Sequence, residues 1–239
     1  MKSLDWRTLA TRVALIVAAA AAPTAFPLSQ MGIGSLHQLA LELILPGALF
    51  LAAGFLFLRI SGRHKAARLL VRGGAAGAVA TLALEAVRYS GFNLGFMPGN
   101  LPELMGVLLL DRFALGPSTA STLAGFAYHF WNGACFGIIF ALFKGRLSKW
   151  WAIPYAVAVG VGFLVSPVVQ ALGVGLFGKD FGWHFAATVL TAHAAFGIAL
   201  AGLLELRIPL VRGKSSQGCV APTLGCMLGI SLLARKRAK

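Results

Sequence analysis

Long apolar runs without charge constrain this chain more than any other feature. One of them, 125–143 (GFAYHFWNGACFGIIFALF), extends for 19 residues without Asp, Glu, Lys or Arg. Crossing the apolar core of a bilayer takes about 20 such residues in a helix, because a backbone in lipid must satisfy its own hydrogen bonds. Only 12% of the 239 residues are charged, against about 25% in an average soluble domain. The chain is therefore predicted to be an integral membrane protein.

Glycines, prolines and charged residues divide the apolar sequence into six candidate helices. The predicted fold is an all-α, polytopic transmembrane helical bundle, because the runs are too long for the roughly ten-residue alternating strands of a membrane barrel. The predicted spans are 9–28, 37–59, 74–96, 118–143, 151–177 and 183–205. Residues 1–206 would form the membrane domain, followed by a basic cytoplasmic tail at 207–239. The proline-punctuated segment 97–117 is predicted to be an external connector whose Leu-rich middle lies as a short helix at the surface.

The distribution of basic residues predicts the orientation. When the chain is threaded through six spans, 18 of its 21 Lys and Arg residues fall on one side of the membrane. The positive-inside rule then places both termini in the cytoplasm. A basic cytoplasmic rim also suits anionic lipid headgroups. The net charge of +14 is therefore assigned to the lipid bilayer as partner, and not to nucleic acid.

Two terminal segments admit alternatives. Residues 1–28 have the basic start, apolar middle and small residues of a cleaved signal peptide, although a retained helix is favoured. The tail at 219–239 (CVAPTLGCMLGISLLARKRAK) is similar to a tripartite C-terminal sorting signal. That interpretation would put Arg207, Arg212 and Lys214 outside, against the charge rule. A cytoplasmic helix lying on the membrane is therefore predicted there.

A short pattern recurs after sixty residues. Phe136-Gly137 and Phe196-Gly197 both stand in an Ala-Cys/Ala-Phe-Gly-Ile context, which suggests that the third to sixth spans form two repeated helical hairpins. A chance match in a chain rich in Gly and Ala is the alternative. Gly133 and Gly137 also form a G-x-x-x-G pattern, which favours close approach of two helices in lipid.

The segments 128–143, 192–202 and 73–87 resemble a group of small uncharacterised bacterial multi-pass membrane proteins. The helices of that group recur as a His followed by a Gly-aromatic stretch. The resemblance covers about residues 73–205 and implies a protein of the bacterial inner membrane. It implies no particular activity.

A few polar residues interrupt the apolar spans at similar depth. An ionised side chain at mid-membrane costs at least about 2.5–3.5 kcal/mol, so these groups should turn inward and pair. Glu85 and Arg88, three residues apart, can meet on one helix face. The alternative to a functional role is a structural one, in which Glu85 and Arg88 form an ion pair and the histidines only hydrogen-bond a neighbouring helix. The predicted polar midplane layer consists of Glu85, Arg88, His129, Asn132 and His193.

Catalytic motifs are missing from the sequence. It contains no HExxH and no GxxxxGK[ST], and Ser166 precedes a proline, so no catalytic residue is assigned and an enzyme is disfavoured. The first hypothesis is a transporter-like or scaffold bundle of unknown activity without a cofactor. The alternative is a membrane redox or metal-binding component in which His129 and His193 hold haem or a metal ion. Whether the chain forms a homo-oligomer or binds another membrane protein is left open.

Overall fold

The computed structural model of the protein describes residues 6–144 and 147–205. These residues are 82% helical and contain no strand, which confirms the all-α prediction. The helices are α1 (Trp6–Gln30), α2 (Leu36–Leu39), α3 (Leu45–Ile60), α4 (His64–Asn93), α5 (Leu101–Leu109), α6 (Thr119–Phe143), α7 (Ala152–Leu164), α8 (Pro167–Ala171) and α9 (Trp183–Leu203). A π-helical turn joins α2 to α3, so these two form one continuous helix, Leu36–Ile60. The predicted tail at 207–239 lies outside the described residues.

Five helices are long and apolar enough to cross a membrane. They contain 21 to 30 residues each, a length of about 32–45 Å at 1.5 Å per residue, against a hydrocarbon core of about 30 Å. Their outer faces expose large apolar side chains such as Leu49 and Leu123, which are 61% and 67% accessible. Such faces are stable when lipid covers them. The architecture is that of a multi-pass membrane protein. The five candidate spans are Trp6–Gln30, Leu36–Ile60, His64–Asn93, Thr119–Phe143 and Trp183–Leu203.

The span predicted at 151–177 is broken in the structure. Helix α7 ends at Leu164, and Ser166 adopts an extended conformation with φ −75° and ψ 161° before α8 begins at Pro167. The ring of a proline disfavours helical geometry at the preceding residue and removes one backbone donor. Together with its preceding 3₁₀ turn, the first half is an apolar helix of only 16 residues, Lys149–Leu164. An apolar stretch that looks long enough in sequence is thus two short pieces.

Helix α4 starts ten residues earlier than its predicted span. It begins at His64 rather than at 74, so Lys65, Arg68 and Arg72 lie on its first turns and not in a loop. The connection from α3 is only residues 61–63, with Gly62 at φ +72°. No proline lies between His64 and Gly73, and Gly73 and Gly74, at the start of the predicted span, lie inside α4.

The predicted connector at 97–117 contains a short helix, as expected, and at nine residues α5 is too short to span a membrane. It packs tightly on α6, because Gly106 and Gly125 let the two backbones touch. A Cβ at Gly106 would overlap the Ser121 carbonyl, and a Cβ at Gly125 would overlap the Pro102 carbonyl. The helix is therefore part of the bundle wall and not a peripheral feature.

The centre of the bundle is the crossing of α4 and α6. A Cβ on Gly73 would lie 2.8 Å from the Cβ of Ala141, and a Cβ on Gly77 would lie 2.9 Å from the backbone of Gly137. The close approach predicted from the G-x-x-x-G pattern is therefore confirmed. A second crossing, of α9 with α7, has Gly197 against Ile153 and Ala156. These contacts fix the register of the helices that carry the polar residues.

Candidate functional site

Glu85 and Arg88 form a bidentate ion pair on α4. Arg88 Nε donates to Glu85 Oε1 and Arg88 Nη2 donates to Glu85 Oε2, each over 2.7 Å. The Glu85 and Arg88 side chains are 12% and 5% accessible, so the pair is largely buried. Their spacing of three residues puts them on one face of the helix. Parallel hydrogen bonds of this kind fix both groups in orientation as well as in distance.

His129 of α6 joins the same carboxylate. Its Nε2 lies 2.9 Å from Glu85 Oε1, but the oxygen is off the direction of the ring N–H, so the contact is a close polar contact and not an aligned hydrogen bond. The register between α4 and α6, set by Gly77 and Gly133, brings the two side chains together. Glu85 therefore lies between a guanidinium on its own helix and an imidazole on the neighbouring helix.

A cavity of about 260 Å³ opens beside this cluster. Helices α1, α4, α5, α6, α7 and α9 all contribute to its wall, and most of that wall is apolar. Its polar residues include Arg88, His129, Asn132 and His193. Glu85 does not line the cavity, so it holds Arg88 from behind. The aromatic part of the wall consists of Phe26, Phe136, Phe163 and Phe196.

Apart from His129 Nε2, which lies beside Glu85, two buried polar atoms of cavity-lining residues have no hydrogen-bond partner among the described residues. They are Arg88 Nη1 and Asn132 Oδ1. A buried donor or acceptor normally finds a partner, because an unmade hydrogen bond sacrifices the interaction that water would have provided. These two atoms are therefore the places where a bound molecule would gain most from polar contact.

His193 has one of its ring nitrogens already engaged. Its Nδ1 lies 2.8 Å from the carbonyl oxygen of Val189. Since a carbonyl only accepts, Nδ1 carries the proton in this contact, and Nε2 of the neutral ring is left as an acceptor. His193 is held against Gly160, where an added Cβ would lie 2.9 Å from the ring.

The structure places the five sequence-predicted residues around one region of the bundle. Glu85, Arg88 and His129 are in direct contact. Asn132 and His193 share the cavity wall with Arg88 and His129. That they form a layer at the membrane midplane stays a prediction.

Sequence reasoning missed the contributions of α1, α5 and α7. Pro23 and Met105 line the cavity, yet neither position carries a polar or periodic signal that marks an inward face. Ser166 also lines it, with its hydroxyl donating to the Phe163 carbonyl over 2.7 Å. The proline that follows Ser166 was the available signal, since it marks a break where a span would otherwise continue.

Haem or a metal ion held by both His129 and His193 would compete with the contact between His129 and Glu85. Nε2 of His129 lies 2.9 Å from Glu85 Oε1, whereas His193 donates from Nδ1 to a backbone carbonyl and keeps Nε2 as an acceptor. The part of the chain that the structure describes has no group of three His, Cys, Asp or Glu side chains able to hold a metal.

No family model, curated protein or solved structure matches the chain. The fold and site define a class, a multi-pass helical membrane protein with a buried ion pair beside an apolar cavity.

Proposed function

We propose that the protein is a transporter-like bundle of the bacterial inner membrane that binds a small, largely apolar molecule in the cavity between its helices. The observation that carries this proposal is the combination of an apolar cavity with a few convergent polar groups, Arg88, His129, Asn132 and His193, on its wall. Small-molecule sites have this composition. Ionisable groups within membrane helices are also expensive to bury and usually mark a functional position.

We further propose six membrane segments, which are the five long helices and the broken unit formed by α7 and α8. Irregular backbone at membrane depth is tolerated where protein or a cavity covers it, and Ser166, at the break, lines the cavity. Substrate sites of secondary transporters are commonly built from such discontinuous helices. The break thus supports the same function as the cavity.

Contacts between basic segments support an orientation with both ends of the bundle in the cytoplasm. Arg63 Nη1 donates to Thr11 Oγ1 over 3.2 Å, which joins the α3–α4 turn to the start of α1. Lys149 pairs with Glu205, which joins the start of α7 to the end of α9. Each contact links two segments that the charge distribution assigns to the cytoplasmic side.

Two internal hairpins, α4 with α6 and α7 with α9, are also proposed. Gly137 of α6 packs on α4, and Gly197, sixty residues later, packs on α7. The recurring Phe-Gly thus serves the same purpose in each pair, a close contact with the preceding helix. The second hairpin is shortened by the break before Pro167.

Topology reporters test the proposed orientation. A cytoplasmically active reporter fused after Lys149 should be active, and a reporter active only outside the cytoplasm should be active when inserted at Pro98. The expectation follows from the one-sided distribution of Lys and Arg. Fusions at both sites with each reporter provide the controls. The reverse pattern would overturn the orientation. Equal behaviour at the two sites would mean that they lie on the same side of the membrane, which contradicts the proposed odd number of crossings between them.

A cavity-filling substitution tests the proposed site. Val159 lines the cavity, whereas Val161, two residues later on α7, is 37% accessible and not part of the wall. Val159→Phe should remove saturable binding of benzyl alcohol, a neutral apolar probe, because the larger ring occupies the cavity. Val161→Phe makes the same chemical change and should leave binding intact. The measurement is equilibrium dialysis of radiolabelled probe against purified protein; identical binding by the two variants would contradict the site.

A further inference from the structure

The ligand class can be narrowed if the proposed cavity site exists. We propose that the cavity takes a small monocarboxylate with an apolar body, whose carboxylate binds the second edge of the Arg88 guanidinium. This inference rests on the proposed function, and it adds the charge and size of the ligand.

Arg88 has donors to spare. A guanidinium carries five N–H groups in a plane, and Glu85 takes one from Nε and one from Nη2. The end-on edge of the guanidinium, formed by Nη1 and the other hydrogen of Nη2, is not used by Glu85 and can bind a ligand. Nη1 is buried without a hydrogen-bond partner among the described residues, and Arg88 lines the cavity with its side chain only 5% accessible.

The shape of that edge selects a carboxylate. Two parallel N–H groups of an arginine match the two oxygens of a planar carboxylate, as the Glu85 side of the same guanidinium already demonstrates. Asn132, whose Oδ1 is also buried without a partner in the described part of the chain, adds an adjustable amide on the same wall.

The charges on the wall select a single negative charge. Among the described residues no Asp or Glu lines the cavity, and Arg88 is the one Arg or Lys that does. A cation would therefore lose its hydration and meet a guanidinium. A dianion such as phosphate would bring two negative charges to one arginine that already neutralises Glu85. One carboxylate is the best match.

The remaining wall selects an apolar body of limited size. Four phenylalanines, Phe26, Phe136, Phe163 and Phe196, face the cavity and suit an aromatic or aliphatic group. Its volume of about 260 Å³ is slightly below the range of about 300–1,000 Å³ for sites of drug-sized ligands. A small acid such as benzoate therefore suits it better than a larger molecule.

Binding of three matched probes tests the proposal. Purified protein in detergent is titrated with benzoate, benzyl alcohol and benzylamine at neutral pH by equilibrium dialysis. Benzoate should bind at least about tenfold more tightly than benzyl alcohol, since hydrogen bonds to a charged group are the stronger ones. Benzylamine should bind most weakly.

Variants assign the preference to Arg88. The double variant Glu85→Gln/Arg88→Gln removes both charges without stranding either, and it should lose the preference for benzoate while keeping the affinity for benzyl alcohol. Arg88→Lys keeps the positive charge but lacks the two parallel N–H groups, so it should lose most of the preference for benzoate. This variant still tests the proposal if the double variant fails to fold. Lys149→Gln/Glu205→Gln removes an ion pair away from the cavity and should bind all three probes like the unaltered protein.

The outcomes separate this inference from the proposed function. Saturable binding of benzyl alcohol without a preference for benzoate would overturn the ligand class and leave the cavity site standing. A preference for benzoate that persists in both Arg88 variants would overturn the assignment to Arg88. Absence of saturable binding by all three probes would overturn the proposed site and this inference together.

Discussion

Replacing Glu85 with Gln should lower the melting temperature of the detergent-solubilised protein by roughly 6–20 °C. The carboxylate contacts Arg88 Nε over 2.7 Å and His129 Nε2 over 2.9 Å. Its removal leaves a guanidinium with a side-chain accessibility of 5% and no anion beside it. Breaking a buried pair in this way costs about 3–5 kcal/mol, and 1 kcal/mol corresponds to about 2–4 °C for a chain of this length. Fluorescence-monitored unfolding measures the shift.

Two further variants distinguish a stranded charge from a general loss of packing. His129→Gln leaves the Glu85–Arg88 pair in place, and it should cost only about 0.6 kcal/mol, the average for a polar contact between membrane helices. Glu85→Gln/Arg88→Gln should recover much of the stability lost in the single variant, because no uncompensated charge remains. Equal losses of stability for Glu85→Gln and His129→Gln would show that the Glu85 carboxylate contributes no more to stability than the His129 side chain does.

Local rules in the sequence predict much of this fold. Apolar length identifies the five long helices, because lipid leaves the backbone no alternative to internal hydrogen bonds. The spacing of Glu85 and Arg88 predicts that they can meet, because residues three apart share a helix face. The spacing of Gly133 and Gly137 likewise predicts a close helix contact. Each of these inferences needs only one element and its neighbours along the chain.

Inferences that depend on how one helix is positioned against another could not be made from the sequence. The contact of His129 with Glu85 depends on the register between α4 and α6. That register is set by which glycines meet across the crossing, Gly77 with Gly133 and Gly73 with Gly137. Likewise, nothing in α1 marks Pro23 or Phe26 as facing the cavity, since the whole helix is apolar. In lipid both faces of a helix are apolar, so hydrophobic periodicity no longer distinguishes inside from outside.

The break within the span predicted at 151–177 has a local origin. Counting apolar residues gives a run of sufficient length, but Pro167 imposes an extended conformation on Ser166. Gly173 and Gly175, both at positive φ, then prevent the helix from resuming at full length. The local signals were present in the sequence, but average hydropathy does not register backbone geometry.

Substituting Gly77 with Ala should destabilise the protein by about 3 kcal/mol, the upper end for an added methyl group in a packed interior. The new Cβ would overlap the carbonyl oxygen of Gly133 and lie 2.9 Å from the Gly137 backbone nitrogen. Backbone atoms cannot rotate out of the way as a side chain can, so α4 and α6 must move apart. The expected fall in melting temperature is about 6–12 °C.

Gly74→Ala is the matched control, three residues away on the same helix. Its added Cβ would lie 3.5 Å from two side-chain carbons of Ile138, which is ordinary contact. Because Ala is also the better helix former by about 1 kcal/mol, the melting temperature should stay unchanged or rise slightly. The two variants add the same methyl group to the same helix, so their difference isolates the contact at the crossing. Since this crossing also holds His129 beside Glu85, the loss in Gly77→Ala should diminish when His129 is already replaced by Gln. Strictly additive losses would mean that the crossing and the polar cluster are energetically independent.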